Sequence, residues 1–262
     1  MSWLRWAALM AAASACGGCW QPLAPQRAEY QRGVVWLFPG IEGGAWQMEQ
    51  PVRALRDAGV TSAVRVYDWW RPLNPLSNLV NYERNREQAR AVAREIGQQL
   101  RENRGIPVDL VGYSGGGGIA LMVVESLPDG ARVRDVILAQ PAVSPTYDLT
   151  PALRRMDGRI VNLYCPSDWW TLGVGTSVLG TIDRRKTPSA GQVGFELDSA
   201  VADARLRSRV VQQAWTPDAR ALGHWGNHTG MFSYGWNRHR LAPLLAARRD
   251  GDTKTTREEA SE

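Results

Sequence analysis

Residues 106–127 read IPVDLVGYSGGGGIALMVVESL, and this stretch decides the fold. Residues 106–111 form an apolar run of the kind and length that a buried strand has. Residues 119–127 are also apolar, and they are numerous enough for a helix that faces a core. Between these segments lies a glycine-rich turn, residues 112–116, with Ser114 at its centre. The stretch therefore predicts a buried strand, a sharp turn and a helix.

The spacing of glycines around Ser114 has a physical reason. A turn this sharp strains the serine backbone, and Gly112 and Gly116 let the strand and the helix approach without a steric clash. The hydroxyl then lies at a helix N-terminus, where free amides and the helix dipole favour a developing negative charge. A phosphate-binding turn is the alternative. However, Ser114 occupies the second glycine position of the dinucleotide fingerprint, and the P-loop lysine is absent.

This strand–turn–helix pattern resembles the nucleophile elbow of the α/β-hydrolase superfamily, which includes serine esterases and lipases. The resemblance implies an α/β-hydrolase fold, a mostly parallel sheet flanked by helices. It also implies that Ser114 is the nucleophile, and that an acid and then a histidine follow it along the chain. Residues 140–158, between the strands predicted at residues 133–139 and 159–164, number only 19, so we expect no large cap domain over the site.

The resemblance places the acid after a strand that follows the nucleophile. Asp168 comes shortly after the predicted strand 159–164, and its role would be to orient the histidine. The alternative for Asp168 is an ordinary helix cap. Three other carboxylates compete for the role of the acid, and Asp148 lies after the preceding strand, which is a known alternative location; the competitors are Asp148, Asp183 and Asp198.

The chain has three histidines, and two of them follow the last predicted strand, 209–215, where the resemblance places the general base. We prefer His228, because it leads into the segment before the final predicted helix. His224 is the alternative base, and otherwise a neighbouring polar group. His239 lies among arginines on that helix, which indicates a surface position.

The strand predicted at residues 33–38 runs into a glycine-rich turn. By resemblance, this turn supplies one amide of an oxyanion hole, and we assign the amide to Ile41, with Glu42 as the fallback. The second amide would be that of Gly115, which follows the nucleophile. The alternative for the upstream segment is a plain glycine turn.

The N-terminus is typical of a secretory signal, predicted at residues 1–15 and followed by a tether at residues 16–32. Cys16 ends a sequence that resembles a bacterial lipoprotein box, and Cys19 is the rival site of lipidation. An ordinary signal peptide and an uncleaved anchor are the alternatives. Pairing of Cys19 with Cys165 stays open, although a buried, unreactive Cys165 is the preferred reading.

The globular domain is predicted at residues 33–247, and residues 248–262, which are almost all polar, are expected to be disordered. The net charge is +5, but the basic residues are scattered among acidic ones and form no stripe. We therefore expect no nucleic-acid binding. Cysteine spacing indicates no zinc site, and we predict neither a metal nor a cofactor. The sequence leaves the oligomeric state open.

The predicted function is hydrolysis of an ester, while thioesters and amides remain open because one fold supports many chemistries. The substrate would be a small-molecule or lipid acyl compound, and the lipid anchor would attach the protein to a membrane of the cell envelope. Six tryptophans either line an apolar acyl site or simply pack the core and cover loops: Trp46, Trp69, Trp70, Trp169, Trp170 and Trp225. The competing function is that of a non-catalytic binding or scaffold lipoprotein with the same fold.

Overall fold

The structure, a computed structural model, describes residues 24–41, 44–69, 78, 81–168 and 180–246. Six parallel strands form one sheet in the order β2-β1-β3-β4-β5-β6. The strands are β1 Val34–Phe38, β2 Ala63–Val66, β3 Val108–Tyr113, β4 Val136–Ala139, β5 Ile160–Tyr164 and β6 Val210–Ala214. All carboxyl ends of a parallel sheet lie at one edge, and this edge carries the groups that the sequence singled out.

Helices connect the strands. The α-helices are α1 Arg27–Tyr30, α2 Glu49–Asp57, α3 Tyr82–Glu102, α4 Gly115–Glu125, α5 Thr150–Leu153, α6 Ala190–Val193, α7 Leu197–Ala200, α8 Ala204–Arg207, α9 Tyr234–Trp236 and α10 Ala242–Ala246. A π-helical turn, Asn237–Leu241, joins α9 to α10. The described residues also form 3-10 helices at Ala45–Met48, Pro217–Leu222 and His228–Phe232.

Both faces of the sheet are covered, which explains why its central strands are apolar at nearly every position. Alternate residues of a strand point to opposite faces. Trp36 of β1 accordingly packs in one cluster with Ile96 of α3 and with residues of α4. Its neighbour Leu37 packs in a second cluster with Leu55 of α2 and Leu245 of α10. The two clusters are the two halves of the hydrophobic core.

The predicted fold class is confirmed by this all-parallel sheet flanked by helices. The observed ends of several strands and helices differ from the predicted ends. The strand predicted at residues 106–111 is displaced to Val108–Tyr113. The strand predicted at residues 133–139 is only Val136–Ala139, while Val133 makes an isolated bridge with Met156. Between β4 and β5 the chain carries the four-residue helix α5 and loops.

The start of the helix after Ser114 differs most from the prediction. The sequence predicted this helix at residues 119–127, but α4 begins at Gly115 and includes four consecutive glycines. A Cβ on Gly116 would overlap the carbonyl oxygens of Phe38 and Pro39, and one on Gly118 would overlap Ile182. Close packing of α4 therefore requires glycine at these positions. This requirement outweighs the poor helix propensity of glycine.

Part of the predicted tether is structured. Residues 27–30 form α1, and Glu29 pairs with Arg56 of α2. The side chain of Arg32 donates to the carbonyl of Thr61 over 3.2 Å, and Ser62 Oγ donates to the carbonyl of Arg32 over 3.1 Å. These contacts attach residues 24–32 to the sheet edge. The predicted signal segment, Cys16, Cys19 and the tail from residue 248 lie outside the described residues, as does Glu42.

Candidate active site

Ser114 lies at the turn between β3 and α4, in a backbone conformation that only a few non-glycine residues adopt. Its φ is 53° and its ψ is −124°. A Cβ on Gly112 would come within 2.5 Å of the Cα of Gly117, so this position needs glycine as well. The amide of Ser114 donates to the carbonyl of Ala139 over 3.0 Å, and the serine carbonyl accepts from Ala142 over 3.0 Å. The turn is thus fixed against the end of β4.

Ser114, His228 and Asp168 form one continuous chain of hydrogen bonds. His228 Nε2 lies 2.9 Å from Ser114 Oγ, and His228 Nδ1 lies 2.7 Å from Asp168 Oδ2. Since a carboxylate can only accept, Nδ1 donates to Asp168, which leaves Nε2 to accept from the serine hydroxyl. Asp168 is buried, and the side chain of His228 is 11% exposed.

The loops that carry the acid and the histidine are held to each other. Asp168 follows β5 in a turn in which its amide donates to the carbonyl of Cys165 over 3.1 Å. Ser167 Oγ donates to the carbonyl of Gly226 in the histidine loop over 2.9 Å. The side chain of Asn227 caps the 3-10 helix that begins at His228, by accepting from the amide of Gly230. These contacts keep the imidazole beside the carboxylate.

The competing carboxylates have other partners. Asp148 accepts from the amide of Thr150 over 2.9 Å, which is a local cap. Asp183 accepts from the amide and the hydroxyl of Ser144. Asp198 pairs with Arg207 at the surface. Among the candidates, Asp168 is therefore the carboxylate that the fold brings to His228.

His224 has a different environment from His228. It is 1% exposed, and its Nδ1 accepts from the amide of Gly226 over 3.2 Å. Its ring lies between those of Trp215 and Trp236, with centroid separations of 6.1 and 5.5 Å. Burial lowers the pKa of His224 to about 4, although the charge of Asp168 opposes this shift. His239 is exposed on the π-helical turn.

Ile41 and Gly115, whose amides were assigned to the oxyanion hole, lie next to each other. A Cβ on Gly115 would overlap the side chain of Ile41. Trp69 Nε1 donates to the carbonyl of Pro39 over 2.8 Å, and Asn78 Nδ2 donates to the carbonyl of Ile41 over 3.2 Å. Within the described part of the chain, neither candidate amide donates a hydrogen bond.

Sequence reasoning missed one residue at this site. Gln140 follows β4 directly and is 1% exposed, and its Nε2 donates to Asp168 Oδ2 over 3.1 Å. Gln140 lies beside Ser114, because Ala139 pairs with Tyr113 in the sheet. Its φ of 46° makes it, like Ser114, a non-glycine residue with a positive φ. The signal that could have found it is its position at the carboxyl end of a predicted strand.

The described tryptophans divide between the core and the surface. Trp69 is buried against the loop before Ile41, whereas Trp46 is 55% exposed and Trp225 is 68% exposed. The positions of Trp70, Trp169 and Trp170 lie outside the described residues. Of the candidates Trp46, Trp69 and Trp225, only Trp69 packs in the core.

The described residues contain neither a membrane-spanning helix nor a metal-binding cluster. None of the helices found there combines the length and the apolar character that crossing a bilayer requires. In the same residues, no group of three or more histidine, cysteine, aspartate or glutamate side chains is arranged to hold a metal ion.

Solved structures share this fold at low sequence identity. Aspergillus fumigatus lipase B aligns with 86% of this chain and 55% of its own, at 13% identity and a TM-score of 0.55. The esterase domain of a Rhodothermus marinus protein aligns with 86% of this chain and 88% of its own, at 15% identity and a TM-score of 0.49. Bacillus licheniformis lipase BlEst2 aligns with 86% of this chain and 96% of its own, at 13% identity and a TM-score of 0.48.

No family model matches the chain, and no curated protein matches its sequence. The sheet order, the flanking helices and the likeness to lipase B define the class: the chain has the α/β-hydrolase fold.

Proposed function

We propose that this protein is a serine hydrolase that cleaves an acyl bond, with an ester as the first candidate. The observation that carries the proposal is the chain of hydrogen bonds from Ser114 Oγ through His228 to Asp168. A serine hydroxyl is a weak nucleophile, and an adjacent base activates it by accepting its proton. Here the base has its acceptor nitrogen 2.9 Å from the hydroxyl, which is within the range that proton transfer needs.

The proposed reaction has two halves. Ser114 Oγ attacks the acyl carbon while His228 Nε2 takes the hydroxyl proton, and a tetrahedral oxyanion forms. The oxyanion accepts from the amides of Ile41 and Gly115. When the bond to the leaving group breaks, His228 returns the proton to the departing oxygen, and the acyl group remains on Ser114. Water then attacks this acyl-enzyme with His228 as base again, which releases the acid and restores the serine.

Asp168 has a supporting role in this proposal. Its carboxylate accepts from His228 Nδ1, which fixes the tautomer that leaves Nε2 free to accept. The negative charge of Asp168 also stabilises the imidazolium that forms during each half of the reaction. Because both groups are largely buried, their attraction is less screened than it would be in water.

Small-molecule and lipid acyl compounds are the proposed substrates. Lipases and an esterase share the fold, but the fold alone supports many chemistries, so thioesters and amides belong to the same proposal. A panel of p-nitrophenyl esters of graded acyl length, with matched thioesters and anilides, would identify the preferred bond. Hydrolysis of the esters in preference to the thioesters and anilides is the expected result.

A fluorophosphonate probe tests the activity itself. We expect the wild-type protein to be labelled at neutral pH, and Ser114→Ala to lose labelling completely. Ser208→Ala is the matched control, since this serine lies in a surface turn, and it should label like the wild type. A wild-type protein that is folded but unlabelled would sink the hydrolase proposal and leave the non-catalytic binding or scaffold lipoprotein as the better reading.

We also propose that the protein is exported and anchored to a membrane of the cell envelope. The support is the sequence of residues 1–19, with lipid on Cys16 or alternatively on Cys19. Mass spectrometry of the mature N-terminus tests this. A lipid-modified cysteine is expected at the new terminus, whereas an intact Met1 would contradict cleavage.

A further inference from the structure

Gln140 connects two parts of the site that the proposed function uses. It directly follows β4, which lies between the strand that ends at Ser114 and the strand that leads to Asp168. Its side-chain amide donates to Asp168 Oδ2, the same oxygen that accepts from His228 Nδ1. We propose that Gln140 is a positioning residue, which holds the carboxylate of Asp168 in the orientation that aligns His228; this inference rests on the proposed function.

The backbone of Gln140 is held in place from both sides. Its φ of 46° lies in a region that residues with a side chain rarely adopt. Its amide donates to the carbonyl of Leu163 at the end of β5 over 2.8 Å. On the other side, a Cβ on Gly191 would lie only 2.6 Å from both the nitrogen and the oxygen of Pro141. A strained conformation persists only where the surroundings impose it, and such positions are concentrated at functional sites.

The same strand end also supports the nucleophile. Ala139 precedes Gln140, and its carbonyl accepts from the amide of Ser114 over 3.0 Å. Ala142 follows two residues later, and its amide donates to the carbonyl of Ser114, also over 3.0 Å. One short segment therefore fixes the serine through its backbone and the acid through a side chain.

The hydrogen bonding of the Gln140 amide supports a specific role. Its Nε2 has the carboxylate of Asp168 as a partner, but its Oε1 is buried and has no partner among the described residues. The Oε1 of Gln99 is also buried without a partner in the described chain, so the donor bond to Asp168 is what distinguishes Gln140. The terminal torsion of an aspartate is soft, and two donors to one oxygen restrict it.

The test compares wild type, Gln140→Met, Gln140→Glu and the control Gln99→Met in the full-length protein. Methionine keeps the length of the side chain and removes the donor. We expect Gln140→Met to lower kcat for ester hydrolysis by roughly 10- to 100-fold, which is the range for loss of a hydrogen bond to a charged group, with KM within about twofold. Gln99 is a buried glutamine on α3, and its replacement should leave kcat unchanged.

Gln140→Glu gives a readout that a merely structural role would not move. A protonated glutamate can donate the same hydrogen bond to Asp168, whereas an ionised one repels that carboxylate. The ratio of kcat in Gln140→Glu to kcat in wild type should therefore fall as pH rises, while the ratio for Gln140→Met stays flat. The titratable or charged groups around Gln140 in the described chain are Asp168, His228, Tyr164, Cys165, His224 and Arg240.

Two results would overturn the inference. One is a Gln140→Met protein with the kcat of wild type. The other is a loss of activity in both Gln140 variants that follows their thermal midpoints and has the same pH dependence as wild type. The proposed function is tested separately by the wild type: if it hydrolyses no acyl substrate, that proposal falls and the role of Gln140 falls with it. An active wild type with an unaffected Gln140→Met removes only the inference.

Discussion

The hydrogen-bonded groups of the site come from three distant segments, yet each contact has ordinary geometry. Ser114 to His228 spans 114 residues of chain, and Asp168 to His228 spans 60. Two histidines of similar position in the sequence have opposite environments. His228 reaches the serine and keeps part of its side chain exposed, whereas His224 is buried between tryptophan rings. Burial disfavours the charged imidazolium that a general base must become.

Substituting each histidine with glutamine separates their roles. We expect His228→Gln to lower kcat/KM by a factor of roughly 10³ to 10⁶, since the base is lost while the rest of the site remains. His224→Gln keeps a polar side chain that can accept from Gly226, so we expect less than about a tenfold change. Steady-state hydrolysis of one ester measures both. A reversal of the two effects would assign the base to His224.

The low pKa of His224 has a consequence for stability at acid pH. Its pKa in the folded state is about 4, below the 6.5 of an unperturbed histidine. As pH falls from about 6.5 to about 4, the unfolded chain takes up a proton that the folded protein resists, so the free energy of unfolding decreases. Denaturant unfolding at pH 7 and pH 5 should show a smaller decrease in His224→Gln than in wild type. An equal decrease in the free energy of unfolding for both proteins would contradict the low pKa of His224.

At the scale of elements, the packing of α4 against the sheet depends on glycine. Four glycines begin this helix, although glycine is among the poorest helix formers. Gly116 faces the carbonyl oxygens of Phe38 and Pro39, and these main-chain atoms cannot move without displacing β1. Because glycine has no side chain, the first turn of α4 can lie close to the sheet. This close approach puts Ser114 at the helix N-terminus.

Gly116→Ala tests this close approach. Helix propensity alone predicts that alanine stabilises α4 by about 1 kcal/mol. The overlap with two carbonyl oxygens predicts the opposite sign, a loss of roughly 1–3 kcal/mol in the free energy of unfolding. Arg90→Ala, at an exposed position of α3, is the control and should change this free energy by less than about 0.5 kcal/mol. A Gly116→Ala protein more stable than wild type would contradict the packing argument.

At the scale of the whole molecule, the edge of the sheet that carries Ser114 lies opposite an edge with a buried ion pair. At the amino ends of the strands, Arg134 makes a bidentate ion pair with Asp109, and both side chains are buried. Arg134 also donates to the carbonyl of Leu245 in α10 over 3.2 Å. Burial raises the pKa of Asp109, and the guanidinium of Arg134 opposes this shift. The pair thus joins two strands to the C-terminal helix.

Breaking this pair from one side should affect stability and leave catalysis alone. Arg134→Met leaves the carboxylate of Asp109 buried without its partner, so we expect a loss of about 3–5 kcal/mol in the free energy of unfolding. The double variant Asp109→Leu/Arg134→Met removes both charges and should recover much of that loss. Chemical denaturation measures the change, and kcat per folded molecule should equal that of wild type. A single variant as stable as wild type would refute the argument.

The sequence pattern predicted the fold class and a short set of candidates for the groups near Ser114. Buried strands of a parallel sheet are continuous apolar runs, and polar residues that follow them reach the same edge. The resemblance to α/β-hydrolases then favoured Asp168 and His228, with His224 and three other carboxylates left as alternatives. Segment ends were less accurate. The start of α4 was predicted four residues late, because the glycines of that helix are favoured by contacts with β1 that the local pattern does not contain.

Only the tertiary structure decided which of several similar groups are in contact. His224 and His228 lie four residues apart, and nothing in their local sequence fixes which ring reaches Ser114; the packing of Trp215 and Trp236 around His224 does. The contact of Gln140 with Asp168 likewise joins residues 28 apart, through a strained backbone that Gly191 and Leu163 hold in place. The spacing of apolar residues indicates which face of a helix or strand is buried. Contacts between particular side chains arise only when the helices and strands pack together.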